Sequence, residues 1–138
     1  VTEDKTELVL PSRIESIEEA AVKAAQVAER SEMDEAAMFG IDLAVREAVA
    51  NAVKHGNKLD ETKSVTISFT SSSDAFVITV IDQGSGFNPM DVPDPTDPQN
   101  LLKASGRGIF FMRNFMDEVG WAQMPEGGTI VRLIKHKQ

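Results

Sequence analysis

Cysteine is absent from the 138-residue sequence, which excludes disulfides and thiolate chemistry, and nothing points to an oxidising compartment. Histidine is scarce. His55 and His136 are the only two, too few for a zinc cluster, and no nucleophile elbow stands beside them to suggest a Ser/His/Asp site. No apolar run reaches membrane-spanning length and the amino terminus is not signal-like, so the expected location is cytoplasmic, with no membrane partner. Basic blocks are missing as well. With 14 Lys+Arg against 22 Asp+Glu the net charge is −8, which argues against an electrostatic grip on nucleic acid or an anionic membrane. An acidic chain can still bind an anionic ligand where backbone amides and a metal neutralise it. What is present is ordinary globular usage, 41% apolar and 26% charged, and the length predicts one domain over residues 1–138 with a core of its own.

Periodicity divides the chain. TELVLPS predicts a short strand closed by Pro11, after which Ser12 can cap a helix through IESIEEAAVKAAQVAERS. Ile14, Ile17, Ala21, Ala24 or Ala25, and Ala28 recur there at helical spacing. A second helix is expected from about Met33 to about His55, stopped by Gly56 and Asn57, with Met38, Ile41, Val45, Ala48 and Ala52 as its buried stripe. KSVTISFT then alternates with period two, SSSD turns, and AFVITVI is almost wholly apolar, which predicts a hairpin whose second strand is central. NPMDVPDPTDPQNLLKAS holds four of the six prolines and predicts a lid-like loop rather than a regular element. A helix from about Gly106 to Phe115 and strands at EVGWAQ and GTIVRLIK complete the order. Helices and strands are grouped rather than alternating, which predicts an α+β fold with helices on one face of a mostly antiparallel sheet.

Four stretches are candidates for chemistry. In EAVANAVKH, Glu47, Asn51 and His55 are four residues apart, and an ideal helix places Asn51 only about 40° round from Glu47. A carboxylate can serve as general base and a carboxamide oxygen as a Mg²⁺ ligand, although a solvated helix face explains the same pattern. In DQGSGF, Asp82 ends the apolar strand and can accept from a ligand amine, while Gly84 and Gly86 allow a close approach; a turn capped by Asp is the plainer account. In SGRGIFF, Gly106 and Gly108 flank Arg107 at a helix start, either an anion site or a hinge. GGT, Gly127 to Thr129, reads as a hairpin turn. Neither a GxxxxGK[ST] loop nor the Rossmann glycine spacing occurs.

In this order the four stretches resemble the GHKL ATPases, the superfamily of gyrase, sensor histidine kinases and MutL. EAVANAVKH looks like the N box, DQGSGF the first glycine box and SGRGIF the second. Nearly the whole chain, and DPTDPQNLLKASGRGIFFMRNFMDEV in particular, resembles the bacterial anti-sigma factor serine kinases. The resemblance implies a Bergerat-type two-layer sandwich, with a mixed, mostly antiparallel sheet and helices on one face. It implies that Asn51 holds Mg²⁺ against the ATP phosphates and that Glu47 is the base. Asp82 would accept from the adenine amino group, with Gly84 and Gly86 leaving room for the ring. Gly106, Arg107 and Gly108 would contact phosphate, Thr129 would complete the adenine pocket, and His55 would support the site.

The function so implied is an ATP-dependent serine-protein kinase. Its substrate would be a small anti-anti-sigma protein, and it would also bind and inhibit a sigma factor, usually as a homodimer. The alternative is an ATP/ADP-gated partner-switching module with little or no phosphotransfer. A detached histidine-kinase catalytic domain is a third reading, disfavoured because the chain carries no helix pair with a phosphoacceptor histidine.

Overall fold

Residues 4–84 and 112–137 are described by the computed structural model. Strand β1 (Asp4–Pro11) leads into helix α1 (Glu15–Arg30) and helix α2 (Glu35–Asn51). Strands β2 (Ser64–Ser71) and β3 (Ala75–Ile81) follow, and β4 (Glu118–Gln123) and β5 (Thr129–His136) close the order. The five strands form one sheet in the order β1-β2-β3-β5-β4, so β3 is central, as its apolar sequence predicts. Every pairing among these strands is antiparallel; the parallel component of the expected mixed sheet does not occur among the described residues.

Alternation builds the core. Val65, Ile67 and Phe69 of β2, Phe76, Ile78 and Val80 of β3, and Val131 and Leu133 of β5 are buried and meet Ala20, Ala24, Val27, Ile41, Val45 and Val49 of the helices. On the other face of the β2–β3 pair, Ser68 and Thr79 stand opposite each other and share a hydroxyl hydrogen bond. Of the predicted stripe of the second helix, Ile41, Val45, Ala48 and Ala52 are buried and Met38 packs against the core partly buried. Asp34 caps this helix by accepting from the Ala37 N–H at 2.8 Å.

Three local expectations are corrected. Ser12 does not cap α1. Its hydroxyl donates to the Lys63 carbonyl at 2.8 Å, the helix starts at Glu15 behind Ile14, and Ser16 donates to the Pro11 carbonyl at 2.7 Å. Because Ile14 precedes the helix it lies 50% exposed, whereas the expected Ala21, Ala24 and Ala28 are buried, joined by Ser16, Ala20 and Val27, and Ile17 packs against the core partly buried. The second helix does not run regularly to His55. Its α form ends at Asn51 and Ala52–Gly56 make one wide π turn, closed by the Asn57 N–H donating to the Ala52 carbonyl at 2.8 Å. The proline-rich segment and the start of the helix expected from Gly106 lie outside the described residues, whereas 112–115 are helical.

Phe69 lies wholly buried on β2, against Phe76 at a ring-centroid distance of 6.3 Å. Phe69→Ala is expected to cost about 3–5 kcal/mol in urea unfolding, the usual range for emptying a buried aromatic position.

Candidate nucleotide site

The carboxyl end of β3 and the end of α2 converge on Asp82, which is 3% exposed. Its Oδ1 accepts from two backbone amides, Gly84 N–H and Thr129 N–H, each at 3.0 Å. Its own N–H donates to the Thr129 carbonyl at 3.0 Å, so the start of β5 continues the ladder with β3 through this residue. Two backbone donors fix the carboxylate plane, and among the described residues no donor to Oδ2 appears. The carboxyl is pushed above its ordinary value chiefly by burial, against which the Gly84 and Thr129 amides and the Lys63 charge pull it down.

Glycine is what lets these segments meet. A Cβ on Gly84 would stand 1.7 Å from the Gly56 carbonyl oxygen, and one on Gly56 would stand 2.2 Å from Asp82 Oδ2. Both contacts lie far inside van der Waals distance, so a strand end and a helix end touch backbone to backbone. The absent side chain at Gly84 therefore serves this internal contact first. Room for a ligand ring, the purpose expected from the sequence, is a separate matter.

On α2, Asn51 is 5% exposed and its Nδ2 is a buried donor without a partner among the described residues. One turn earlier, Glu47 is half-buried, and burial raises its carboxyl above the ordinary value while the Lys54 charge opposes the rise. His55 is exposed on the π turn. Gly86, Gly106, Arg107 and Gly108 lie outside the described residues.

Among the described residues there is no group of three or more His, Cys, Asp or Glu that could hold a metal. Asn51 would offer a single neutral oxygen, leaving the rest of a Mg²⁺ shell to phosphate and water. That arrangement is usual for Mg²⁺ on a nucleotide, whereas the unpartnered Asn51 Nδ2 is a donor that calls for an acceptor, such as a phosphate oxygen, and is not itself a metal ligand.

Sequence reasoning passed over Asn57, treated only as a helix stop. It is 1% exposed, and its Oδ1 accepts from the Gln83 N–H at 2.7 Å beside Asp82. The signal available was a polar residue directly after a glycine at a helix end, which turn chemistry explains equally well.

Comparison with known proteins fits this geometry. A sequence model of the family described as histidine kinase-like ATPase domain matches residues 10–135. An anti-sigma F factor of Bacillus subtilis (strain 168) is 38% identical over 108 residues, covering 75% of this chain and 71% of the relative. An anti-sigma F factor of Anoxybacillus flavithermus is 39% identical over 100 residues, 70% of this chain and 67% of the relative. A serine-protein kinase RsbW of Listeria monocytogenes is 27% identical over 146 residues, 98% of this chain and 90% of the relative.

Two outcomes are expected here. Gly84→Ala should displace the 82–84 segment or cost about 1–3 kcal/mol of stability, the usual penalty of overpacking, as read by urea unfolding. The Glu47 carboxyl is raised on folding, so the stability linked to its protonation is complete below the ordinary 4.5 and is lost as pH rises through the raised value. Glu47→Gln removes that loss. Its Tm should exceed the native value near about pH 8 and converge on it near about pH 4, a trend that thermal melts across this range would show or refute.

Proposed function

Because the chain belongs to the histidine kinase-like ATPase domain family, we propose that it is an ATP-dependent serine-protein kinase that also acts as an anti-sigma factor. It transfers the γ-phosphate of ATP to a serine of a small anti-anti-sigma protein, and it binds and inhibits a sigma factor. The names of its relatives, anti-sigma F factor and serine-protein kinase, support both halves of this reading. The observation that carries the kinase half is Glu47, a half-buried carboxyl with a raised affinity for protons, one helical turn before the buried Asn51. A pure nucleotide switch needs the second residue more than the first.

The chemistry follows from position. Asp82 accepts from the 6-amino group of adenine, and the backbone amides on its Oδ1 hold it ready to do so. Thr129, buried beside it, closes the adenine side of the pocket. Glu47 takes the proton of the acceptor serine as its Oγ forms a bond to the γ-phosphorus. The bond from that phosphorus to the β,γ-bridging oxygen breaks, and ADP leaves with its electron pair. Raised proton affinity suits a base that must hold a proton during transfer. Asn51 would hold Mg²⁺ through its carboxamide oxygen, and the ion would supply the neutralisation of phosphate charge that phosphoryl transfer demands more than covalent help.

The resemblance to the family assigns Gly106, Arg107 and Gly108 to phosphate binding and Gly86 to the adenine side, assignments supported by sequence alone. His55 stays a supporting residue at the edge of the site. The working form is a homodimer in the cytoplasm. Among the described residues no helix is long and apolar enough to cross a membrane.

Radiolabel from γ-labelled Mg·ATP should pass to serine on one small protein of the source lysate, and Glu47→Gln should abolish the transfer while ATP affinity is kept. Intact binding without transfer by the native protein would replace the kinase with an ATP-gated binding module. Asp82→Asn should weaken ATP by about tenfold or more, as loss of a charge-assisted ligand bond does, and calorimetry showing native affinity would refute the adenine assignment.

A further inference from the structure

We propose that Asn57 is the positioning residue that sets selectivity for adenine, by fixing the Asp82–Gly84 segment against the end of α2. This rests on the reading that Asp82 meets the adenine amino group. The carboxamide ties together parts of the chain far apart in sequence. Its Oδ1 accepts from the Gln83 N–H at 2.7 Å, and its Nδ2 donates to Ser12 Oγ at 2.6 Å and to the Ser64 carbonyl at 3.0 Å. Ser12 passes the connection on to the Lys63 carbonyl at 2.8 Å. One buried side chain thus joins the end of α2 to the β1–α1 connection, the start of β2 and the residue after Asp82.

Asp82 itself is anchored to β5 through Thr129, but the backbone that follows it at Gln83 has few other hydrogen bonds among the described residues. Residues 82–84 lie beyond the end of β3. The Gly84 N–H is occupied by Asp82 itself. The only other side-chain tie of Gln83 among the described residues runs from its Oε1 to the Ser64 amide at 2.7 Å and hydroxyl at 3.2 Å. Asn57 therefore supplies the tie from α2 to the backbone between the base-reading carboxylate and Gly84.

The chain is distorted to put Asn57 there. The π turn inserts an extra residue into the last turn of the helix, and Lys58 and Leu59 then adopt φ of 53° and 60°. Non-glycine residues take such left-handed backbone when surrounding contacts hold it. A regular helix continued through Gly56 would present residue 57 in a different direction.

A role in positioning differs from a role in filling a polar gap. Asn57→Ala removes the bond to Gln83 and both donated bonds. Asn57→Asp keeps an acceptor for Gln83 and loses the donors. Calorimetry on the full chain with Mg·ATP, Mg·ITP and Mg-tripolyphosphate separates the two roles, because inosine carries an oxygen where adenine has its amino group. Asn57→Ala should lower the preference for ATP over ITP by about tenfold, the factor one ligand hydrogen bond is worth, with tripolyphosphate affinity unchanged. Asn57→Asp should keep the native preference even where it melts earlier.

A folded Asn57→Ala with the native ATP/ITP ratio overturns the proposal. If Asn57→Ala does not fold, Asn57→Asp decides through amide exchange. Native selectivity with a protected Gln83 amide supports the proposal, and lost selectivity with that amide still protected overturns it. A native protein with no preference for ATP over ITP defeats the Asp82 assignment itself, a result distinct from either.

Discussion

The backbone contact between the end of α2 and the end of β3 is the constraint on which the rest of this structure depends. Gly56 and Gly84 meet without side chains between them, and Gly128, at φ +95°, brings the start of β5 against the Asp82 carbonyl from the other side. A carboxyl enclosed in this way is oriented by backbone amides. Such donors belong to the fold and need little reordering when a ligand arrives, unlike long side chains that must give up rotamer freedom. The cost falls on the carboxyl, whose charge is partly desolvated. That cost is tolerable where two N–H groups already face one oxygen.

Helix and sheet contribute different chemistry to the site. The helix carries Glu47 and Asn51 one turn apart, a carboxylate and a carboxamide, on the flank of a stripe anchored by Val45, Ala48 and Val49. The sheet end carries Asp82 and Thr129. Their relative placement is a matter of layer packing, and the layers are tied at the surface too. Arg46 on α2 pairs with Asp42 at 3.0 Å and with Glu18 on α1 at 2.5 Å. Exposed pairs of this kind add little stability each, so the alanine-lined seam between the helices sets the geometry.

Most of the architecture was legible because it is written in periodicity. Alternation in β2 and β3, a 3-4 stripe in α2 and turn residues at SSSD each correspond to an element in the structure. Asp82 was legible as an acid at a strand end. What escaped was set by contacts distant in sequence. Ser12 has the composition of a helix cap, yet a carbonyl 51 residues away takes its hydroxyl. The π turn leaves no mark in residue type, since Ala52 to His55 would continue an α-helix as readily. The parallel pairing implied by family likeness finds no counterpart among the described strands, and periodicity alone does not distinguish the two directions.

The placement of β5 between β3 and β4 bears on how the chain folds. The β2–β3 hairpin closes locally, whereas the bond from Thr129 to Asp82 spans 47 residues and the β3–β5 ladder is equally non-local. Loop-closure entropy makes such pairings late and slow relative to hairpins and helices. The enclosure of Asp82 is thus completed only when the C-terminal strands dock, and any ligand that binds only the finished enclosure favours the complete chain over one whose last strands have yet to arrive.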